Sequence, residues 1–166
     1  MFLKMNDFFT SNYEIIKSQK LNIIDKDTER PWGGFFVISE HNAQDFSNIY
    51  FNCLNTEELK ISGKLSPKIL IIAPNKRLSW QYHHRRSEIW RVVSGEIKVV
   101  TSHDDVERKE EIHKEGDEIR LSQGERHRII GLDDYAVVAE IWIHTDKDNP
   151  SDENDIVRLQ DDFDRN

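Results

Sequence analysis

Four side chains with nitrogen and oxygen donors stand in two short stretches of the chain. The first stretch is Gln81-Tyr82-His83-His84-Arg85-Arg86-Ser87-Glu88. Side chains alternate along a strand, so Gln81 and His83 share a face. Glu88 follows a turn and opens the next strand. In the second stretch, Gly116, Gly124, His127 and Gly131 read as strand, glycine turn and strand, with His127 near the start of the last. Gln81, His83, Glu88 and His127 together suit one divalent transition metal. Two imidazoles and a carboxylate leave positions open for water and substrate. The Gln81 amide would be a weak oxygen ligand or would hydrogen-bond from behind the ligands. The only cysteine is Cys53, so the set holds no thiolate and a closed structural zinc site does not fit. The donor set does not separate Zn, Mn, Fe, Co and Ni.

Such a set works only if several strands hold it. After Pro67 short apolar or alternating runs follow one another, over 68–73, 78–84, 88–94, 96–101, 106–113, 118–121, 126–131 and 136–144. Turn residues separate many of them: Pro74-Asn75, Ser94-Gly95, Glu115-Gly116-Asp117, Gln123-Gly124. Many short strands at regular spacing predict an all-β sandwich or barrel. Upstream, Arg30-Pro31-Trp32-Gly33-Gly34 is a turn signal, followed by a strand at Phe35-Phe36-Val37-Ile38. Phe46, Ile49, Tyr50, Cys53 and Leu54 follow helical spacing and predict a short helix over about 43–56, with Cys53 buried on it. Residues 1–29 read as an N-terminal arm with a short helix near Phe8 to Ser18. The acidic segment 145–153 reads as a loop, and 155–165 as a tail packed back on the barrel. Residues 30–166 would then be one domain.

At 166 residues the chain is one domain long, with 37% hydrophobic and 10% aromatic residues. That composition excludes global disorder. Lys and Arg number 23 against 31 Asp and Glu, a net charge of −8. The balance argues against a nucleic-acid-binding surface. No apolar stretch approaches the roughly 20 residues that span a bilayer. With no export signal at the N-terminus and one cysteine, the expected location is the cytoplasm.

Two spacings then point to a family. Gln81-x-His83-x4-Glu88-x6-Gly95 resembles the first cupin motif, with Gln for its first His. Gly116-x5-Ser122-x-Gly124-x2-His127-x3-Gly131 resembles the second, with Ser122 for Pro and Gly131 for Asn. The implied fold is a single jelly-roll (double-stranded β-helix) barrel. The resemblance narrows to the type II mannose-6-phosphate isomerases. It is carried by Arg30-Pro31-Trp32-Gly33, Leu78-Ser79-Trp80-Gln81-Tyr82-His83-His84 and Glu88-Ile89-Trp90-Arg91-Val92-Val93-Ser94-Gly95. Gly124-Glu125-Arg126-His127-Arg128, Asp155-Ile156-Val157-Arg158 and Asp161-Asp162-Phe163-Asp164-Arg165 extend it. Gln at the first metal position is itself characteristic of that family. The chain departs from it at Arg85, where a third His is usual, at Trp142, where Gln is usual, and over 41–67, which looks inserted.

The resemblance implies aldose–ketose isomerisation of a sugar phosphate through an enediolate. A base must sit within about 3 Å of the proton that leaves C2. Glu140 and His84 are the candidates, and the sequence does not choose between them. Glu140 faces the pocket if Val138 and Trp142 do, and a carboxylate in an apolar strand needs a partner or a role. Arg85, Arg86, Arg128 and Arg158 are the candidate phosphate ligands, because arginine binds phosphate bidentately. His41, His103, His113 and His144 read as solvated. Two other functions compete: a metal- and sugar-binding module without turnover, and another metallo-cupin reaction such as an Fe(II) oxygenase. The arm residues Phe2, Leu3, Phe8 and Phe9 have no obvious core of their own, which predicts a homodimer.

Overall fold

The computed structural model describes residues 4–165. Helix α1 (Met5–Ser18) leads into β1 (Ile23–Arg30) and β2 (Gly33–Ile38). A 3-10 turn (Glu40–Asn42) and helices α2 (Ala43–Tyr50) and α3 (Thr56–Leu59) follow. Then come β3 (Lys68–Ile72), β4 (Trp80–Tyr82), β5 (Arg86–Ser94), β6 (Glu96–Ser102), β7 (Lys109–Lys114), β8 (Glu118–Leu121), β9 (Arg126–Gly131), β10 (Ala136–His144) and β11 (Val157–Gln160). They form two antiparallel sheets, ordered β1-β2-β3-β10-β5-β8 and β11-β4-β9-β6-β7. This is the expected jelly-roll barrel.

The first sheet is covered on both faces, and its sequence shows why. In β3, Leu70 and Ile72 face the barrel interior with Trp90, Val92, Ile97, Ile129 and Val138. Ile69 and Ile71 face outward with Phe9, Ile16, Phe36, Phe46, Phe51 and Ile141 under the helices. A strand buried on both sides reads as an unbroken apolar run, as 69–73 and 136–139 do. Lys68, Glu140 and Trp142 lie on the interior side of the same strands, at the polar end of the barrel. Glu140 pairs in register with Lys68 on one side and with Trp90 on the other.

Several expectations change. Residues 23–29 of the expected arm, with Arg30 of the expected turn, form β1, paired with β2. Phe9 is buried, and Phe8 stacks on Tyr135 with ring centroids 4.6 Å apart. These arm aromatics therefore have a core in their own chain, which removes the argument made from them for a homodimer; Phe2 and Leu3 lie outside the described residues. Helix α2 stops at Tyr50. Asn52 and Cys53 both take positive φ, 52° and 59°, and Cys53 is exposed rather than buried on a helix. The apolar spacing continued past Tyr50, but the backbone left the helix before Cys53 and Leu54. His144 is not solvated but fully buried.

Candidate metal centre and cavity

Strand β5 delivers Glu88 from one sheet, while β9 delivers His127 from the other. His83 follows β4 directly, and in register Gln81 lies opposite His127. The donor atoms of His83, Glu88 and His127 lie within 4.8 Å of one another, and all three residues are buried. His83 Nδ1 donates to the Asp155 carbonyl at 2.7 Å, and His127 Nδ1 to the Glu125 carbonyl at 2.9 Å. Each bond leaves Nε2 unprotonated and turned to the cluster, the tautomer a metal requires; at His83 the Arg86 guanidinium lies against it, 3.1 Å away. His127 Nε2 is buried with no hydrogen-bond partner. A buried acceptor without a donor is costly, and an ion would satisfy it. His83, Glu88 and His127 therefore fit a metal. Gln81 turns its amide nitrogen to His83, at 3.5 Å, and its oxygen to Ser79. Rotating the amide would bring the oxygen to the cluster.

The electrostatics keep the donors in their ligating forms. Burial pushes His83 down to about 3, with Arg86 adding to the effect and Glu88 opposing it. Burial likewise pushes His127 down. Burial works to raise the Glu88 carboxyl, but Arg86 and the two histidines outweigh it and hold it below the usual carboxylate range. The Arg86 guanidinium donates to Glu88 at 2.8 Å and lies 3.1 Å from His83 Nε2.

Glu140 is the opposite case. Burial, then the negative charge of Glu88, pushes it up to about 8, against the pull of Lys68 and Arg86. Burial therefore favours its neutral, protonated form. The Trp90 indole N–H is shared between the two carboxyls, 3.1 Å from Glu88 and 3.2 Å from Glu140.

Lys68, Gln81, Arg86, Glu88, Trp90, His127 and Glu140 line one cavity of about 400 Å³, and His83 lies behind its wall; the volume is within the size range of small-molecule sites. Of the expected site residues, Gln81, Glu88, His127, Glu140, Arg86, Arg128 and Arg158 line it. His84 and Arg85 do not. His84 is exposed, with its ring edge-on to Tyr82, because alternation puts it on the face opposite His83. Arg85 turns toward Asp152, at 3.7 Å. Arg128 is fully buried and held by the Leu78 carbonyl, Glu107 and Gln160.

The sequence reading missed Lys68, Arg30 and Arg165 in the cavity wall. Lys68 had a signal of the same kind as Glu140, a lone charge in an apolar run. It ion-pairs with Glu153 and sits 3.9 Å from the Trp142 ring centroid. Asp155 was also missed as a support. Its carboxylate accepts from the backbone N–H of His84 and of Arg85, each at 3.0 Å, and from the Ser151 hydroxyl at 2.6 Å.

Residues 40–161 match the family model described as Mannose-6-phosphate isomerase C-terminal. The chain belongs to this family. Its matched span takes in every strand from β3 to β11 and both histidine motifs. No curated protein gives a significant match. Among solved structures, the capsular polysaccharide assembling protein CapF from Staphylococcus aureus aligns with 84% of this chain and 32% of its own, at 17% identity and a TM-score of 0.56. A cupin-superfamily sugar phosphate isomerase from Silicibacter pomeroyi aligns with 48% of this chain and 50% of its own, at 17% identity and a TM-score of 0.43. The DMSP lyase DddQ from Ruegeria pomeroyi aligns with 57% of this chain and 43% of its own, at 16% identity and a TM-score of 0.45. The chain thus spans half or less of the length of these proteins. The likeness to CapF is one of fold. Among the described residues, no helix is long and apolar enough to cross a membrane.

Proposed function

We propose that this chain is a metal-dependent sugar-phosphate isomerase of the mannose-6-phosphate isomerase type. One observation carries the reading. A buried carboxyl poised near neutrality, Glu140, shares a cavity and an indole N–H with a carboxylate of the three-residue metal-ligating cluster. Aldose–ketose isomerisation needs these two things side by side: a group that takes a proton from one carbon and returns it to the next, and a centre for the oxygen charge that develops meanwhile.

His83, Glu88 and His127 would hold the ion, with Gln81 beside them. When bound, the metal supplies Lewis-acid polarisation of adjacent sugar oxygens. The protein's own residues do the rest. Glu140, in its ionised fraction, accepts the proton from C2 of the aldose and delivers it to C1 of the enediolate, while the hydroxyl proton of O2 passes to O1, so that the ketose forms with no net loss or gain of protons. Its position near 8 keeps both protonation states within reach at neutral pH. Trp90 fixes Glu140 and Glu88 relative to each other. Lys68, paired in register with Glu140, favours the ionised fraction that is ready to take up the proton. His84, outside the cavity, does not fit the part of base. The cavity wall carries six cations, Arg30, Lys68, Arg86, Arg128, Arg158 and Arg165, against Glu88, Glu153 and the protonated Glu140. In a chain of net charge −8, that local excess favours an anionic substrate.

The deciding assay is interconversion of fructose 6-phosphate and mannose 6-phosphate by metal-reconstituted protein. Turnover lost in His127→Ala is expected. Glu140→Gln should also lose turnover, by a factor of at least about 100, while keeping its metal and its melting temperature. Glutamine resembles the protonated Glu140 of the resting protein, so the loss would be chemical. Metal-loaded protein without turnover would sink the isomerase reading. The second reading, a binding module without turnover, would then stand. Its support is Arg86, whose bonds to Glu88 and His83 can hold the cluster together without an ion.

A further inference from the structure

Two of the buried indoles donate to protein acceptors: Trp80 to the Asp105 carbonyl at 2.8 Å, and Trp90 to Glu88 and Glu140. Trp142 does not. It is 4% exposed, it lines the cavity, and its Nε1 has no hydrogen-bond partner. Buried polar groups are nearly always satisfied. An indole nitrogen donates and cannot accept, so the missing partner is an acceptor.

The ring that carries this N–H is held on both faces. Its strand, β10, lies between β3 and β5. Lys68 reaches the ring from β3, with Nζ 3.9 Å from the centroid, and Arg86 from β5, with its guanidinium carbon at 3.6 Å. Each contact is attractive, because a cation meets the negative face of the ring. Each cation is itself tied down, Lys68 by Glu153 and Arg86 by Glu88 and the Ser151 hydroxyl. The faces of Trp142 are thus covered, and its edge is left to meet a ligand. A donor fixed in this way loses little freedom when it binds.

Register says what the donor is next to. Trp142 stands opposite Glu88 of the ligating cluster, and two residues along β10 from Glu140, on the same inward face. Charge decides the kind of acceptor. The ionised Glu88 across the strand repels an anion, and both flanking cations already have carboxylate partners. A neutral oxygen suits the place.

We propose that Trp142 is a specificity-determining donor, whose indole N–H binds a hydroxyl oxygen of the substrate next to the reacting carbons and fixes the sugar against Glu140. This rests on the sugar-phosphate reading and adds a demand that the metal cluster does not make, an oxygen on the carbon chain beyond the reacting pair. Trp142 is also a position where the chain departs from the usual residue of its family, so the role belongs to this chain.

The test follows the indole N–H signals of zinc-loaded, nitrogen-15-labelled protein by NMR as mannose 6-phosphate is added. Trp142→Phe assigns the Trp142 signal. It keeps an aromatic ring between the two cations and removes the donor. On binding, the Trp142 signal should move downfield and exchange more slowly with water. Trp142→Phe should weaken mannose 6-phosphate about three- to tenfold, the loss of one neutral hydrogen bond, and leave zinc affinity as in the parent. Analogues lacking the 3- or the 4-hydroxyl locate the acceptor, because parent and variant should bind one of them equally. An unmoved signal in protein that calorimetry shows to be saturated overturns the proposal and assigns the N–H to a bound water. An equal loss in Trp142→Phe for every analogue also overturns it, since a structural role alone would give that. The two readings fail separately. A moved signal without turnover keeps the donor and removes the isomerase. Turnover with an unmoved signal and an unchanged KM in Trp142→Phe keeps the isomerase and removes the donor. Mannose 6-phosphate that does not bind removes both.

Discussion

Glu88 is bound on several sides, and each contact asks it to stay ionised. It accepts from Arg86 and Trp90 and faces both histidines. Arg86 in turn is buried, with its guanidinium 3.6 Å from the centroid of the Trp142 ring. Removing one partner of a buried ion pair strands the other charge, which costs about 3–5 kcal/mol. Glu88→Gln should therefore destabilise the metal-free protein by about that much in urea unfolding, although it is nearly isosteric. A loss below about 1 kcal/mol would mean that Arg86 finds other acceptors, the nearest being Ser151 and the Asp152 carbonyl. The cluster of His83, Glu88 and His127 was legible in the sequence because two motif spacings agree on its members. Arg158 was legible only through a tail motif. The roles of Arg86 and Arg128 were not legible. Both lie next to site residues in sequence, but adjacency does not reveal that an arginine's donors are already spent on acceptors brought in from distant segments.

The elements that position the site include one that looks unstructured. The loop after β10 returns through Ser151 to Asp155, whose carbonyl orients His83 and whose carboxylate ties down the backbone of His84 and Arg85. Groups behind a metal-ligating histidine typically contribute 10- to 100-fold to metal affinity. Asp155→Ala should weaken metal binding by roughly that factor in chelator competition, and an unchanged affinity would show that His83 keeps its orientation without this support. The same loop is pinned at its other end by His144. The Ser151 N–H donates to His144 Nδ1 at 3.0 Å, so the ring must be neutral there. Burial, assisted by the charges of Lys64 and Arg86, pushes His144 down to about 4 from its ordinary 6.5. Between pH 6.5 and 4 the unfolded chain takes up a proton that the fold refuses. Stability from this residue is complete above 6.5 and falls as pH drops through that window. His83 and His127 act in the same direction. Glu140, pushed up to about 8, opposes the three histidines over the same window, because there the fold holds a proton that the unfolded chain has lost. With three groups against one the melting temperature should still fall between pH 7 and pH 5, and His144→Gln should flatten part of that slope. An equal slope in the variant would assign the acid lability to the other histidines alone.

For the molecule as a whole, the barrel was readable because its strands are short, separated by turn residues and periodic; β8 and β9 match the runs read from sequence at both ends. The N-terminal segment was not readable, and the reason is physical. Its helix buries Phe9 and Ile16 against the outward face of a sheet whose own outward residues, Phe36, Ile69, Ile71 and Ile141, are spread over three strands. Neither half of that interface is complete in a local window. Read alone, the arm's aromatics look like surface seeking a second copy; in the fold, those that are described complete the second core of the same chain. The two pictures predict different losses. Removing a buried phenylalanine costs about 3–5 kcal/mol through lost transfer energy and the cavity left behind. Phe9→Ala should therefore lower the unfolding free energy by about that amount independently of protein concentration, with the light-scattering mass unchanged from the parent. If Phe9 instead sealed a subunit interface, the loss would depend on concentration and the mass would halve. The packing of Phe9 against Phe36, with ring centroids 6.2 Å apart within one chain, favours the first outcome.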